Sequence, residues 1–271
     1  MPSQQILDIA QAFVAARQAS RSLSDYPGVL PTDLRTAYQV QEAAMNLWPD
    51  EVVGWKVGLL APSERLAMGT TRLAGPIFSS GLMQSAGRAP VHLAAIVGGF
   101  AAIEVELVVA ARADAPQGQT EWTLEQAAAI AGEWRVGVEF AASPLSSIND
   151  LGATAVVSDF GNNSGLVLGP PIESKLIGDA ERLVCETKIE GVRVGFSSAA
   201  VLPGGALEAL RFLLGHLAER GRSLRAGQWV STGAITGVHQ ILPGQHGSAE
   251  FIGRGRVEVI VDEARASPRR S

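Results

Sequence analysis

Ala101-Ala-Ile-Glu-Val-Glu-Leu-Val-Val-Ala110 decides how this chain is read. The run is apolar and β-branched enough to be a strand, and successive strand side chains point to opposite faces. Glu104 and Glu106 therefore share one face, while Ile103, Val105 and Leu107 occupy the other. Glu139, in Gly137-Val-Glu-Phe140, repeats the pattern against Val136, Val138 and Phe140. A third strand-like run, Gly54-Trp-Lys-Val-Gly58, carries Lys56 between two glycines that would leave space beside its long stem. Acids on one face repel one another unless something positive sits among them, and a divalent cation is the natural candidate. A solvated sheet face would account for Glu-x-Glu taken alone, and a surface lysine for Lys56 taken alone.

Working outward, short β-like runs with abundant glycine fill most of the chain beyond Val52. They cover 52–59, 101–110, 134–142, 154–158, 164–168, 183–189, 192–196, 229–232, 248–252 and 256–261. Glu190-Gly191 and Gly253-Arg-Gly255 join two pairs of them as hairpins. Before them, Ile6, Ile9, Ala10, Phe13 and Val14 recur at helical spacing. A second helix opens at Pro31-Thr-Asp33 and runs to about Trp48. Shorter helices are expected at 62–68, 124–131 and 205–220. Strands and helices do not alternate regularly, so a regular parallel sheet is disfavoured and a mixed or antiparallel α+β body is expected. The organisation expected is a helical N-terminal region over residues 1–50, a β-rich catalytic domain over 51–265 and a flexible tail over 266–271.

Composition narrows the function. The 271 residues carry 22 Lys and Arg against 27 Asp and Glu, a net charge of −5. That balance offers no basic field for a phosphate backbone, so nucleic acid is not an expected partner. Apolar stretches are interrupted well short of a membrane span, and Gln4, Gln5 and Asp8 stand where a signal peptide needs a basic, then apolar, start. A single cysteine, Cys185, fits a reducing compartment. The expected setting is the cytoplasm, with no membrane partner.

If the three glutamates converge, their oxygen-only character selects a hard ion, Mg²⁺ or Mn²⁺, over zinc. His92, His216, His239 and His246 show no ligand spacing. Three carboxylates around a divalent ion leave one surplus negative charge, which Lys56 can offset. No Gly-x-Ser-x-Gly elbow and no phosphate-binding loop of the Walker type occur. Cys185, in an alternating strand, reads as a packing residue.

Gly54-Trp-Lys-Val-Gly-Leu59, Ile103-Glu-Val-Glu-Leu107, Val138-Glu139, Asp159-Phe-Gly-Asn-Asn-Ser-Gly165 and Leu224-Arg-Ala-Gly-Gln-Trp-Val-Ser-Thr-Gly233 follow one another in that order. The ordered set resembles the fumarylacetoacetate hydrolase superfamily, in its branch of 2-keto-4-pentenoate hydratases and 4-oxalocrotonate decarboxylases. The resemblance implies a distorted β-sheet roll with flanking helices. It also implies Mg²⁺ or Mn²⁺ on Glu104, Glu106 and Glu139, and Lys56 against the substrate. Asp159, Asn162, Ser164, Thr232 and Gly233 are implied to shape the substrate pocket. The partners implied are a small 2-oxo acid, further copies of the chain and a companion enzyme of the same pathway.

Two departures from the family pattern stand out. Relatives often carry an acid before the Phe-Gly step after the short helix, whereas Leu73-Ala-Gly-Pro-Ile-Phe-Ser-Ser80 has none. Asn162-Asn163 replace small residues. Both are expected to touch the distal part of the pocket. The activity expected first is hydration of a short 2-hydroxy-dienoic or 2-oxo-enoic acid through a metal-stabilised enolate. Decarboxylation of a 4-oxalocrotonate-type diacid, which passes through the same enolate, comes second. Carbon–carbon bond hydrolysis comes third, because Ala61-Pro-Ser-Glu-Arg-Leu-Ala-Met68 offers Glu64 but no histidine to activate water. A non-catalytic partner subunit is the reading outside enzymology.

Overall fold

The structure, a computed structural model, describes residues 2–266. The tail expected over 266–271 lies, apart from its first residue, outside them. In chain order the helices and strands are α1 (Gln4–Gln18), α2 (Leu34–Leu47), β1 (Val52–Leu59), α3 (Pro62–Met68), β2 (Arg72–Phe78), β3 (Leu82–Gln84), β4 (Val91–Ala95) and β5 (Phe100–Ala111). There follow α4 (Leu124–Ile130), β6 (Ala131–Ser143), α5 (Ala153–Ser158), β7 (Asn163–Ile172), β8 (Val184–Ile189) and β9 (Val192–Ser198). The last are α6 (Gly205–Glu219), β10 (Trp229–Ser231), β11 (His239–Gln240), β12 (His246–Phe251) and β13 (Gly255–Glu263).

The strands form two mixed sheets. One runs β2-β1-β10-β5-β6-β7-β3, with β11 added beside β5, and the other runs β4-β13-β12-β8-β9. Parallel pairs (β1 with β10, β3 with β7, β4 with β13) sit among antiparallel ones, so of the mixed and antiparallel bodies that the irregular order of elements left open, the structure is the mixed one. The apolar face of β5 and β6 packs on the second sheet. A Cβ on Gly247 of β12 would lie 2.6 Å from Ile103 Cδ1, and one on Gly169 of β7 would lie 2.5 Å from Val257 Cγ2 of β13. Glycine is what lets these layers approach so closely.

The opposite face carries the glutamates, and the first sheet curls around it. β1 and β6 are three strand steps apart, about 14 Å in a flat sheet. Lys56 of β1 nonetheless reaches Glu139 of β6 at 3.3 Å. The sheet is therefore a roll, closed by β2 against the turn that follows α5. That turn is left-handed at three successive residues, Phe160 (φ 56°), Gly161 (φ 66°) and Asn162 (φ 52°). Each non-glycine residue in it costs about 1–2 kcal/mol, so packing must hold it. A Cβ on Gly75 of β2 would stand 2.1 Å from Phe160 O, which makes glycine obligatory at that contact.

As the outermost strand, β2 presents an edge that an uncovered sheet would leave open to pairing. Helix α2 covers it. The Ala74 amide donates to Tyr38 Oη at 2.9 Å, and Gln41 Nε2 donates to Ala74 O at 3.1 Å and to Val157 O at 2.9 Å. The buried faces of α1 and α2 join the same contiguous core as the strands. Among the described residues no helix is long and apolar enough to cross a membrane.

Three sequence expectations change. Residues 154–158, read as a strand from Thr154, Val156 and Val157, are helix α5, because tertiary burial on every side overrides β propensity. Strands β2, β3, β4 and β11 were not foreseen. Pro76 inside β2 argues against a central strand, and it is tolerated because β2 is an edge. Finally, Gly54 leaves no space beside Lys56, since a Cβ there would lie 2.4 Å from Trp229 O. Its smallness admits β10. Gly58 does leave room, with the Lys56 ammonium 3.3 Å from where its Cβ would be.

Candidate metal centre

Glu104 and Glu139 face each other in the β5–β6 register, and Glu106 lies opposite Gly137. One carboxylate oxygen from each of Glu104, Glu106 and Glu139 falls within 4.8 Å of the others, and all three residues are buried. Lys56, also buried, is the cation beside them.

The donors around the acids are unevenly distributed. Glu106 Oε2 accepts from Ser231 Oγ and, at 2.7 Å, from the Gly233 amide. Thr232 aims that amide by donating its own hydroxyl to Leu107 O at 2.8 Å. Glu139 Oε1 faces Lys56 Nζ at 3.3 Å and accepts from Asn163 Nδ2 at 3.2 Å. The remaining oxygens, Glu106 Oε1 and Glu139 Oε2, are buried without a hydrogen-bond partner among the described residues. Buried carboxylate oxygens without a donor are costly and rare. Two such atoms, both on members of one acidic cluster, are what a hard divalent cation satisfies, so the residues fit such an ion.

Without an ion the charges strain against each other. Burial, then the neighbouring Glu139 charge, pushes Glu104 up to about 8, with Lys56 opposing. Burial followed by Glu139 and Glu104 raises Glu106 well above the usual carboxylate range, against the pull of Ser231 and Gly233. Burial alone would lower Lys56, but Glu139, Glu104 and Glu106 outweigh it, and its net direction is upward. The lysine is thus a cation, fixed by the acids it faces.

A pH dependence follows. A carboxyl whose folded value is raised stabilises the fold at low pH, and this contribution is lost as pH climbs from its ordinary range towards about 8. An entering ion must displace the same protons. Mn²⁺ affinity measured by calorimetry is expected to rise more than about tenfold between pH 6 and pH 8, with proton release that shrinks over that interval. A flat profile would mean that the acids are ionised throughout.

The other residues singled out from sequence sit one layer back. Asp159 is buried in a bidentate pair with Arg17 of α1 (2.6 and 2.9 Å) and accepts from Ser143 Oγ at 2.6 Å. Arg17 also donates to Ser164 Oγ at 3.0 Å and to Ala142 O at 2.8 Å. Asp159 and Ser164 thus tie the N-terminal helix to the strand ends. Asn162 Nδ2 donates to Asn149 Oδ1 at 3.0 Å, while its own Oδ1 is buried without a partner among the described residues.

Of the two departures from the family pattern, one touches the trio and the other lies beside Lys56. Asn163 contacts Glu139 itself, because β7 pairs with β6 alongside it. Gly75, in the stretch that lacks an acid, is the register partner of Lys56. Arg17, Ser231 and Asn163 were not identified from sequence as supports. Nothing in their spacing marks them, since each meets its partner only through the roll. Cys185 is buried, its thiol pushed up to about 12 by burial, as suits a packing residue.

No protein-family model and no curated protein matches the chain. Solved structures do. The 4-oxalocrotonate decarboxylase from Pseudomonas putida G7, complexed with calcium and acetate or with magnesium and adipate, superposes with a TM-score of 0.77 at 21% identity, over 95% of this chain and 97% of that one. Fumarylpyruvate hydrolase from Pseudomonas aeruginosa, in complex with Mn²⁺ and pyruvate, gives 0.57 at 18% identity over 78% and 89%. A yeast fumarylacetoacetate hydrolase family protein gives 0.52 at 11% over 79% and 94%. The chain has the fold of these proteins, the β-roll that the sequence resemblance implied.

Proposed function

We propose that this protein is a metal-dependent lyase acting on a short 2-oxo acid, and that it removes the far carboxylate of a 4-oxalocrotonate-type diacid as CO₂. The observation that carries the reading is the trio with its two donor-free oxygens and one opposed lysine. A divalent ion held there would supply positive charge for the 2-oxo group as negative charge develops on its oxygen. Support also comes from the decarboxylase of the same fold, itself complexed with magnesium and the dicarboxylate adipate.

In the proposed step the bond from the far carboxylate to the chain breaks and CO₂ leaves. Its electron pair moves through the conjugated double bond to the 2-oxygen, and protonation completes the 2-hydroxy-dienoic product. Lys56, kept protonated by the glutamates, lowers the energy of that developing charge. Ser231 and the Gly233 amide orient Glu106, and Asn163 orients Glu139.

Hydration, placed first from sequence, needs in addition a base that activates water. The acids acting on Lys56 are the three glutamates; Gly75 stands across from it on β2, and Asp159 is committed to Arg17. Among the described residues no acid beyond the trio acts on Lys56, and that favours decarboxylation. Incubation with Mn²⁺ and the diacid is expected to release CO₂ and accumulate 2-hydroxypenta-2,4-dienoate. Water addition to the dienoate without CO₂ release from the diacid would reverse the order.

A further inference from the structure

We propose that Ser231 and Asn163 are positioning residues that set which ion the trio accepts, favouring small octahedral cations over Ca²⁺. The inference rests on the metal-dependent reading above. Its basis is the asymmetry of the two innermost glutamates. Ser231 and the Gly233 amide hold one oxygen of Glu106, and Lys56 and Asn163 hold one oxygen of Glu139. Of the four oxygens on these two glutamates, Glu106 Oε1 and Glu139 Oε2 are buried without a donor among the described residues. Each of these carboxylates therefore offers a single oxygen.

Ca²⁺ takes roughly 6–8 oxygens at about 2.3–2.6 Å and commonly recruits both oxygens of a carboxylate. Mg²⁺ requires about six ligands in a tight octahedron, with Mn²⁺ similar in its choice of oxygen donors. With Glu106 and Glu139 confined to one oxygen each, the trio offers about four oxygens even if Glu104 binds through both of its own, which falls further short of a Ca²⁺ shell than of an octahedron. The octahedral deficit is what water and a chelating 2-oxo acid can fill. Breaking the donor contacts frees the second oxygens and loosens the restriction.

The test is calorimetric titration of metal-stripped protein with Mn²⁺, Mg²⁺ and Ca²⁺, comparing the full chain with Ser231→Ala and Asn163→Ala. The unaltered protein is expected to bind Mg²⁺ and Mn²⁺ in preference to Ca²⁺. Ser231→Ala is expected to weaken Mg²⁺ and Mn²⁺ by about tenfold or more while Ca²⁺ changes less, so the preference narrows. Asn163→Ala should shift it in the same direction by less, because Lys56 still holds Glu139. Should Ser231→Ala fail to fold, Asn163→Ala decides the matter alone. Equal weakening of all three ions, or an unchanged preference in variants that melt normally, overturns the inference. Absence of any ion binding by the unaltered protein would instead overturn the metal reading beneath it.

Discussion

Glu106→Gln is expected to abolish measurable Mn²⁺ binding, to lower turnover by at least about a thousandfold, and yet to raise the melting temperature of the metal-free protein. The three results have one origin. A glutamine at this position has one oxygen where the glutamate has two. If that oxygen accepts from Ser231 and Gly233, the amide NH₂ points into the site and repels the cation. If the amide turns round, the Gly233 N–H meets another donor at a distance that is 2.7 Å in the unaltered protein. Neither orientation restores the buried, donor-free oxygen that fits an ion.

The metal-free fold gains because burial and two neighbouring acids already disfavour charge on Glu106. A neutral side chain of the same shape relieves that repulsion, the usual opposition between stability and a strained site. The gain should grow as pH rises through the range in which the remaining acids ionise. A Glu106→Gln protein that binds Mn²⁺ within tenfold of the unaltered chain would remove the trio from consideration as a metal centre.

Much of this arrangement was legible in the sequence, and the limit of legibility has a physical cause. Period-two alternation exposes Glu104 and Glu106 on one strand face and Glu139 on another, because that pattern is local. The same logic placed β1 at Val52–Leu59 and both hairpin turns. Alternation does not report curl. In a flat sheet Lys56 and Glu139 would be strangers, and what joins them is a roll closed by glycine contacts such as Gly75 on Phe160. The supports fall outside local reading for the same reason. Ser231 is 125 residues from Glu106, and Arg17 is 142 from Asp159. Helix α5 shows the opposite failure, a strand-like composition folded as a helix by its surroundings.

Lys56→Met is expected to separate binding from catalysis. Methionine keeps much of the stem and removes the charge, so the buried trio loses the cation lying 3.3 Å from Glu139. Breaking a buried pair by deleting one partner costs about 3–5 kcal/mol, and the metal-free variant should melt correspondingly lower where the acids are ionised. Added Mn²⁺ replaces the missing positive charge. The variant should therefore bind the ion at least as tightly as the unaltered chain and gain more in melting temperature from it. Turnover should still fall by about 10²–10⁴-fold, because the ion cannot occupy the lysine's own position opposite the developing charge. Lys56→Arg then distinguishes the two roles open to the lysine. A guanidinium keeps the charge but does not give up a proton near neutral pH. Substantial recovery of turnover in the arginine variant, with a pH profile unchanged on the alkaline side, assigns Lys56 to charge stabilisation, which is the role expected of an ammonium held charged by three acids. Arginine no better than methionine, in a protein that still binds Mn²⁺ and folds, would assign it to proton transfer.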